Sequence, residues 1–179
     1  MAGHSKWAQI KRAKGVADSA RSKLFGKLGR FLAVASKKCK GDVNAPELRA
    51  AIEKAKKENM PKDTIERAVK KGAEADGAAL ERLVYEAFGQ GGAALIIEVL
   101  TDNRNKAAQE IKHILSKNNS SLGAPGSATW AFSKTSEGYE PTSTIPLSKE
   151  DSDSLIKLME ELEDNDEVQE VFTNAELMQ

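Results

Sequence analysis

The side chains with the clearest chemical potential are the cations near the N-terminus. The first forty residues contain eleven Lys and Arg and a single acid, Asp18. Cationic side chains at this density attract a polyanion, and chains of phosphates such as DNA and RNA are polyanions of this kind. We therefore predict a nucleic-acid surface here, with a solvated basic surface that has no partner as the alternative. The predicted contacts are Lys6, Trp7, Lys11, Arg12, Lys14, Arg21, Lys23, Lys27 and Arg30.

Trp7 is the one aromatic ring among the first of these cations, in a segment too short and polar to form a core of its own. Such a segment supplies cations that can follow phosphates and a ring that can stack on a base. The ring could equally anchor the segment to the rest of the protein. Both interpretations of Trp7 remain open from the sequence.

The charges of the chain are divided between its two halves. Residues 1–75 hold nineteen Lys/Arg and eight Asp/Glu, a net charge of +11, whereas residues 76–179 hold eight and nineteen, a net charge of −11. This division predicts two domains: a basic nucleic-acid-binding domain over 1–75 and an acidic domain over 76–179.

Other kinds of site find little support in the sequence. The two histidines, His4 and His113, and the single cysteine, Cys39, lack the spacing of a zinc site. The turn 89–92 is rich in glycine but lacks the Gly-Lys-Ser/Thr ending of a phosphate loop, and the acids of 160–167 do not follow a calcium-loop pattern. We predict no enzymatic activity, metal, cofactor or small-molecule substrate. The longest apolar run, 93–97, is too short to span a bilayer, so we also predict a cytoplasmic protein that does not enter a membrane.

Hydrophobic periodicity predicts three helices in the basic half. Over Asp18–Lys38 the apolar positions recur at steps of three and four, and Lys23, Lys27, Arg30 and Lys37 repeat on a neighbouring stripe. Further helices are predicted to begin at Pro46 and near Pro61, the last ending at Gly72, with a linker over 72–79. The apolar stripe of the first helix consists of Leu24, Leu28, Phe31, Leu32 and Ala35.

The acidic half changes to a mixed pattern of strands and helices. Strands are predicted over 83–88, 93–100, 127–132 and 168–172, and near 144–145, with helices capped by Thr101–Asn103 and by Ser148. From residue 93 the order is β-α-β, a connection, then β-α-β. The whole chain is predicted to be α+β: an N-terminal three-helix bundle with a basic arm, followed by a ferredoxin-like α/β sandwich domain.

Several short blocks carry a family resemblance. These blocks are residues 1–7, Ile10-Lys11, 59–61, 85–86, 101–105 and 168–171. They resemble the YebC/PmpR family of DNA-binding transcriptional regulators, which includes the mitochondrial translational activator of cytochrome oxidase. The resemblance implies an N-terminal helical domain, α+β domains after it, and no catalytic activity.

The chain departs from the family pattern in one place. Typical members carry an additional α/β domain between the segments that correspond to Phe132-Ser133 and to 144–146, where this chain has only about ten residues, Lys134–Ser143. It resembles a short member that lacks the middle domain. We expect 134–143 to be an exposed connection and the sheet to close without that domain.

Three functions are consistent with these observations. The first is a non-enzymatic, DNA-binding transcriptional regulator. The second is a translational activator that uses the same cations on ribosomal or messenger RNA, with the ribosome itself as a partner. The third is an adaptor whose acidic half binds a basic protein. The sequence contains neither a helix-turn-helix signature nor an aromatic RNA-binding signature that would separate DNA from RNA.

Overall fold

The computed structural model describes residues 18–76, 80–136 and 138–178. They divide into two compact units, a helical one ending at Leu80 and an α+β one beginning at Glu81. None of the described helices is both long enough and apolar enough to cross a membrane.

The described residues of the helical unit form three α-helices, which confirms the predicted bundle: α1 (Asp18–Lys38), α2 (Pro46–Lys57) and α3 (Lys62–Glu74). Pro46 occupies the first turn of α2, where a missing N–H costs nothing. The helix α1 is followed by Gly41, whose φ of +81° lets its N–H donate to the carbonyl of Ser36 at 2.9 Å. The buried core consists of Leu28, Leu32, Ala35, Leu48, Ala51, Ala55, Met60 and Ile65.

Gly72 does not end the third helix, contrary to the sequence prediction. The helix α3 continues to Glu74, so the predicted linker over 72–79 begins too early. Gly72 is needed for packing: a Cβ there would lie 2.7 Å from the Cα of Ala33, closer than real Cβ atoms approach. The absence of a side chain at Gly72 therefore lets α1 and α3 touch backbone to backbone.

We expect Gly72→Ala to destabilise the protein. The gain in helix propensity is about 1 kcal/mol, but forcing two helix backbones apart costs about 1–3 kcal/mol, so the steric cost dominates. Gly26→Ala is the matched control, because nothing lies within 4 Å of a Cβ at that position of α1. Urea denaturation should show a lower midpoint for Gly72→Ala and an equal or higher midpoint for Gly26→Ala. A stable Gly72→Ala protein would contradict the close contact.

The α+β unit contains eight strands and two α-helices among its described residues. They are β1 (Glu81–Phe88), β2 (Ala94–Thr101), α4 (Arg104–Lys117), β3 (Ser121–Leu122), β4 (Phe132–Thr135), β5 (Gly138–Pro141), β6 (Ile145–Pro146), α5 (Lys149–Asp164), β7 (Val168–Thr173) and β8 (Ala175–Glu176). Four strands form an antiparallel sheet in the order β3-β1-β2-β7, with α4 and α5 packed on one face. A β4–β5 hairpin and a short parallel β6–β8 pair complete the unit. The predicted α+β class is thereby confirmed.

Strand β2 is buried along its whole length and supports a core on each side of the sheet. Alternate residues point to opposite faces of a strand. Leu95, Ile97 and Val99 join the core under α4 and α5, whereas Ala94 and Ile96 join a second core on the opposite face. This explains why the strand is apolar almost throughout, as a central strand covered on both faces must be.

The strand predicted over Ser127–Phe132 is wrong in its first part. Residues Thr129–Ala131 form a 3₁₀ turn, and β4 begins only at Phe132. The cause is Glu86, whose buried carboxylate accepts hydrogen bonds from the N–H groups of Gly126 at 2.7 Å, Ala128 at 2.6 Å and Thr129 at 3.0 Å. Three N–H groups that converge on one carboxylate require a bent backbone, which a strand cannot provide.

The carboxylate of Glu86 should make stability depend on pH. Burial raises the pKa of Glu86, but the three backbone hydrogen bonds together lower it by more, so the pKa lies below the ordinary glutamate value. A depressed folded-state pKa contributes stability above the unfolded-state pKa, and that stability disappears as the pH falls through the folded-state pKa. The difference in unfolding free energy between wild type and Glu86→Gln should therefore narrow under acid, as urea titrations at several pH values can measure. A constant difference would contradict this role.

The segment Lys134–Ser143 is more than an exposed connection. It contains most of the β4–β5 hairpin, and Tyr139 packs edge-on against Phe132 and Phe172 with ring centroids 6.4 and 5.5 Å apart. At Gly138, where φ is +133°, a Cβ would lie 2.6 Å from Cε1 of Phe172. The hairpin therefore covers the second core, on the face of the sheet opposite α4 and α5.

Candidate nucleic-acid interface

The predicted interface is described in part, on helix α1. Lys6, Trp7, Lys11, Arg12 and Lys14 lie outside the described residues. Arg21, Lys23, Lys27 and Arg30 all lie on α1.

Three of these four cations share one side of α1. Lys23, Lys27 and Arg30 are separated by four and three residues, which places them in one row along the helix. The core residues Leu28, Leu32 and Ala35 lie on a different side of α1 and are almost completely buried. We call the row of Lys23, Lys27 and Arg30 the basic stripe.

The cations of the basic stripe are half-buried, and only Arg21 among the four is exposed. Long cationic side chains can lay their methylene stems on the protein while the charged group reaches water. The stripe is thus better anchored than a set of freely extended lysines. Less of its conformational entropy remains to be lost when phosphates are bound.

Arg21 does not belong to the basic stripe. At 100° per residue it lies about 200° around the helix from Lys23, on the side that carries the apolar residues further along α1. The structure thus separates two cations that the sequence prediction grouped together. Arg21 can therefore contact a ligand bound at the basic stripe only if that ligand also extends around the N-terminal part of α1.

One cation beside α1 was not predicted. The Nζ atom of Lys54, on α2, lies 5.7 Å from the ring centroid of Phe31, a cation–π geometry. Phe31 follows Arg30 directly, so Lys54 adds a charge close to the end of the basic stripe. No sequence signal could have shown this pairing, because it depends on how α2 packs on α1.

The alternatives raised from the sequence can be compared with the described residues. Among them, no group of three or more His, Cys, Asp and Glu is arranged to hold a metal ion. The glycine-rich segment Gln90–Gly92 forms a 3₁₀ turn between β1 and β2, and it opens no helix that could bind phosphate. In the acidic cluster, Glu161 accepts hydrogen bonds from Asn118 and Lys117. These contacts lower the pKa of Glu161 and hold α5 beside the end of α4.

Family models cover nearly the whole chain. The model described as the TACO1/YebC protein N-terminal domain matches residues 5–75, and the TACO1/YebC second and third domain matches residues 80–137 and 134–175. The two segments of the second match meet at 134–137, in the β4–β5 hairpin.

Individual proteins show the same similarity. A "Probable transcriptional regulatory protein" of Fervidobacterium nodosum is 38% identical over 238 residues, covering 99% of this chain and 94% of its own. Another, of Petrotoga mobilis, is 45% identical over 184 residues, covering 98% and 71%. The crystal structure of a conserved hypothetical protein, Aq1575 of Aquifex aeolicus, matches with a TM-score of 0.77 at 30% identity, covering 90% of this chain and 93% of that one.

The lengths of these matches differ from the length of this chain. The first alignment spans 238 residues although this chain has 179, so about 60 residues of the relative have no counterpart here. The absence of a middle domain remains a prediction, and the two matched segments meet at 134–137, within the stretch where it was predicted.

Proposed function

Because the chain belongs to the TACO1/YebC family, we propose that it is a regulator of gene expression that binds nucleic acid through its basic half. Relatives that match nearly all of the chain are named probable transcriptional regulatory proteins, which favours DNA as the partner. We assign binding to residues 1–75, whose net charge is +11, and not to residues 76–179, whose net charge is −11.

The observation that carries this proposal is the basic stripe on a helix anchored in a core. Burial of Leu28, Leu32 and Ala35 fixes the orientation of α1, so the stripe presents its charges in a constant row. Phosphate contacts of this kind supply affinity and orientation but little choice of base sequence. Lys6, Lys11, Arg12 and Lys14 extend the same set of cations along the sequence, and Trp7 adds a ring of the kind that can stack on a base.

A translational activator that binds ribosomal or messenger RNA is the second candidate, and the composition of α1 is compatible with it. Base readout in the DNA major groove often uses Asn or Gln for adenine, and Asp18–Lys38 contains neither. A helix with cations but no amide side chain suits recognition of phosphates on a folded RNA as well as on a duplex.

The two candidates can be separated with the full chain. Mobility shifts on a DNA duplex and an RNA stem-loop of equal length measure the preference, and a tagged chain sedimented through sucrose with and without nuclease tests ribosome association. Nuclease-sensitive movement with ribosomes supports the translational role, whereas duplex binding without it supports the transcriptional one. Binding to neither probe at low salt would overturn the proposed function.

A further inference from the structure

The helical unit contains a hollow that the proposed function does not use. It has a volume of about 460 Å³, enough for several apolar side chains of a docked segment, and it lies between the loop after α1 and the helices α2 and α3. Its floor is apolar and its rim is charged. The floor is formed by Val43, Ile52, Ile65, Val69 and Ala73, and the rim by Lys40, Lys56, Lys62, Lys70 and Glu66.

Val43 shows that this apolar surface is open to water. The residue is 53% exposed, although it lines the hollow together with the partly buried Ile52 and Val69. Exposed apolar side chains are ordinary when scattered singly, but a contiguous set in a concave surface marks a binding site.

The loop that carries Val43 is held in place by its own backbone. Lys40 and Gly41 both have positive φ, at +53° and +81°, and the N–H of Asp42 donates to the carbonyl of Cys39 at 3.1 Å. A Cβ on Gly41 would lie 3.0 Å from the Cβ of Ala73, so the loop rests closely on α3. The hollow is therefore formed before any partner arrives, which lowers the entropic cost of binding.

The rim is positive, with four lysines and one glutamate. Lys62 lies 3.7 Å from Glu66 and Lys56 lies 3.2 Å from Glu53, but the side chains of both pairs are well over half exposed. Exposed ion pairs contribute little and exchange readily for other partners. The rim can thus pair with carboxylates of a ligand.

We propose that this hollow binds an acidic amphipathic helix of a protein partner. An apolar floor with a basic rim is complementary to a helix that has an apolar stripe between rows of carboxylates. None of the described residues that line the hollow has an aromatic ring on which a base could stack, which disfavours a nucleic acid here. The hollow shares no residue with the basic stripe, so the helical unit would hold nucleic acid and a protein partner through separate surfaces.

A peptide with the sequence of α5 is a suitable probe, added to the full chain. Lys149–Asp164 has 16 residues, an acidic surface and an apolar stripe of Leu155, Leu158, Met159 and Leu162. Fluorescence anisotropy should show saturable binding of this peptide. A scrambled peptide of the same composition without the stripe should bind about tenfold more weakly.

Variants of the hollow test where the peptide binds. Val43→Ser combined with Lys70→Glu should weaken peptide binding about tenfold or more, whereas Lys71→Glu, an equal charge change outside the lining, should leave it within about twofold. Replacing the basic stripe by glutamine should also leave peptide binding intact, which keeps this test independent of the nucleic-acid proposal.

Four outcomes would overturn the proposal. Equal affinity for the scrambled peptide would show charge attraction alone, and equal affinity of the hollow variant would place the peptide elsewhere. Displacement of the peptide by DNA or RNA would make the hollow part of the nucleic-acid surface. A chain that dimerises, and loses its dimers with Val43→Ser and Lys70→Glu, would show that a second copy occupies the hollow.

Discussion

Reversing the basic stripe, by Lys23→Glu, Lys27→Glu and Arg30→Glu together, is expected to weaken nucleic-acid binding by the full chain about a hundredfold or more. If the stripe binds phosphates as proposed, the change removes three phosphate partners and replaces them with three repulsions. Each lost phosphate contact should also make the log–log dependence of affinity on salt shallower by roughly 0.9 for duplex DNA. Titrations at several salt concentrations measure both effects.

The control for this variant changes the net charge equally on other helices. Arg49→Glu, Arg67→Glu and Lys71→Glu replace three exposed cations of α2 and α3, and they should reduce affinity far less. Because the stripe is half-buried, the triple variant must be checked by circular dichroism. Glutamine at the same three positions removes the charges without repulsion if the glutamate variant does not fold. A folded variant with unchanged affinity and salt dependence would place the interface elsewhere.

Replacing Glu86 by glutamine is expected to cost about 2–4 kcal/mol of unfolding free energy at neutral pH. Hydrogen bonds to a charged group are worth about 1.5–3 kcal/mol, and a buried N–H without an acceptor costs about 1–3 kcal/mol. Glutamine has one carbonyl oxygen for the three N–H groups that the carboxylate satisfies, and its own NH₂ would face a donor. Urea denaturation of the two proteins measures the loss.

Glu140→Gln is the matched control, since Glu140 is exposed on β5 of the same unit. Surface substitutions of this kind usually change stability by less than about 0.5 kcal/mol. Equal stability of Glu86→Gln and Glu140→Gln would mean that the three hydrogen bonds contribute little to the fold.

The elements that the sequence predicted well are those whose signals are local. Asn103 and Ser148 accept hydrogen bonds from the N–H groups three residues later, as capping residues do, and both begin helices where expected. The apolar run of β2 identified a strand covered on both faces, because burial on both faces leaves little room for alternation.

The predictions that failed concern residues whose roles are set by distant partners. Gly72 has the sequence signature of a helix end, but its role is contact with Ala33, thirty-nine positions earlier. Likewise, the sequence of Ser127–Phe132 is typical of a strand, but hydrogen bonds from its N–H groups to the carboxylate of Glu86 bend the backbone. Sequence periodicity describes one element at a time and carries no information about such pairings.

The candidate binding surfaces also differ in whether local sequence signals could reveal them. The basic stripe follows from spacing along one helix and was predictable, whereas Lys54 beside Phe31 was not. The hollow also went undetected, because its floor combines Val43 from a loop with Ile52 from α2 and Val69 from α3.

The β4–β5 hairpin is a position at which this fold can accept an inserted sequence. Its two strands are paired along their whole length, with Phe132 opposite Pro141 at one end and Thr135 opposite Gly138 at the other. The chain therefore leaves and re-enters the fold at neighbouring points. Because domain termini often lie close together, a folded module can be spliced between such points without separating the strands. A domain can therefore be gained or lost here as one continuous segment. The same position is suitable for the insertion of a reporter protein.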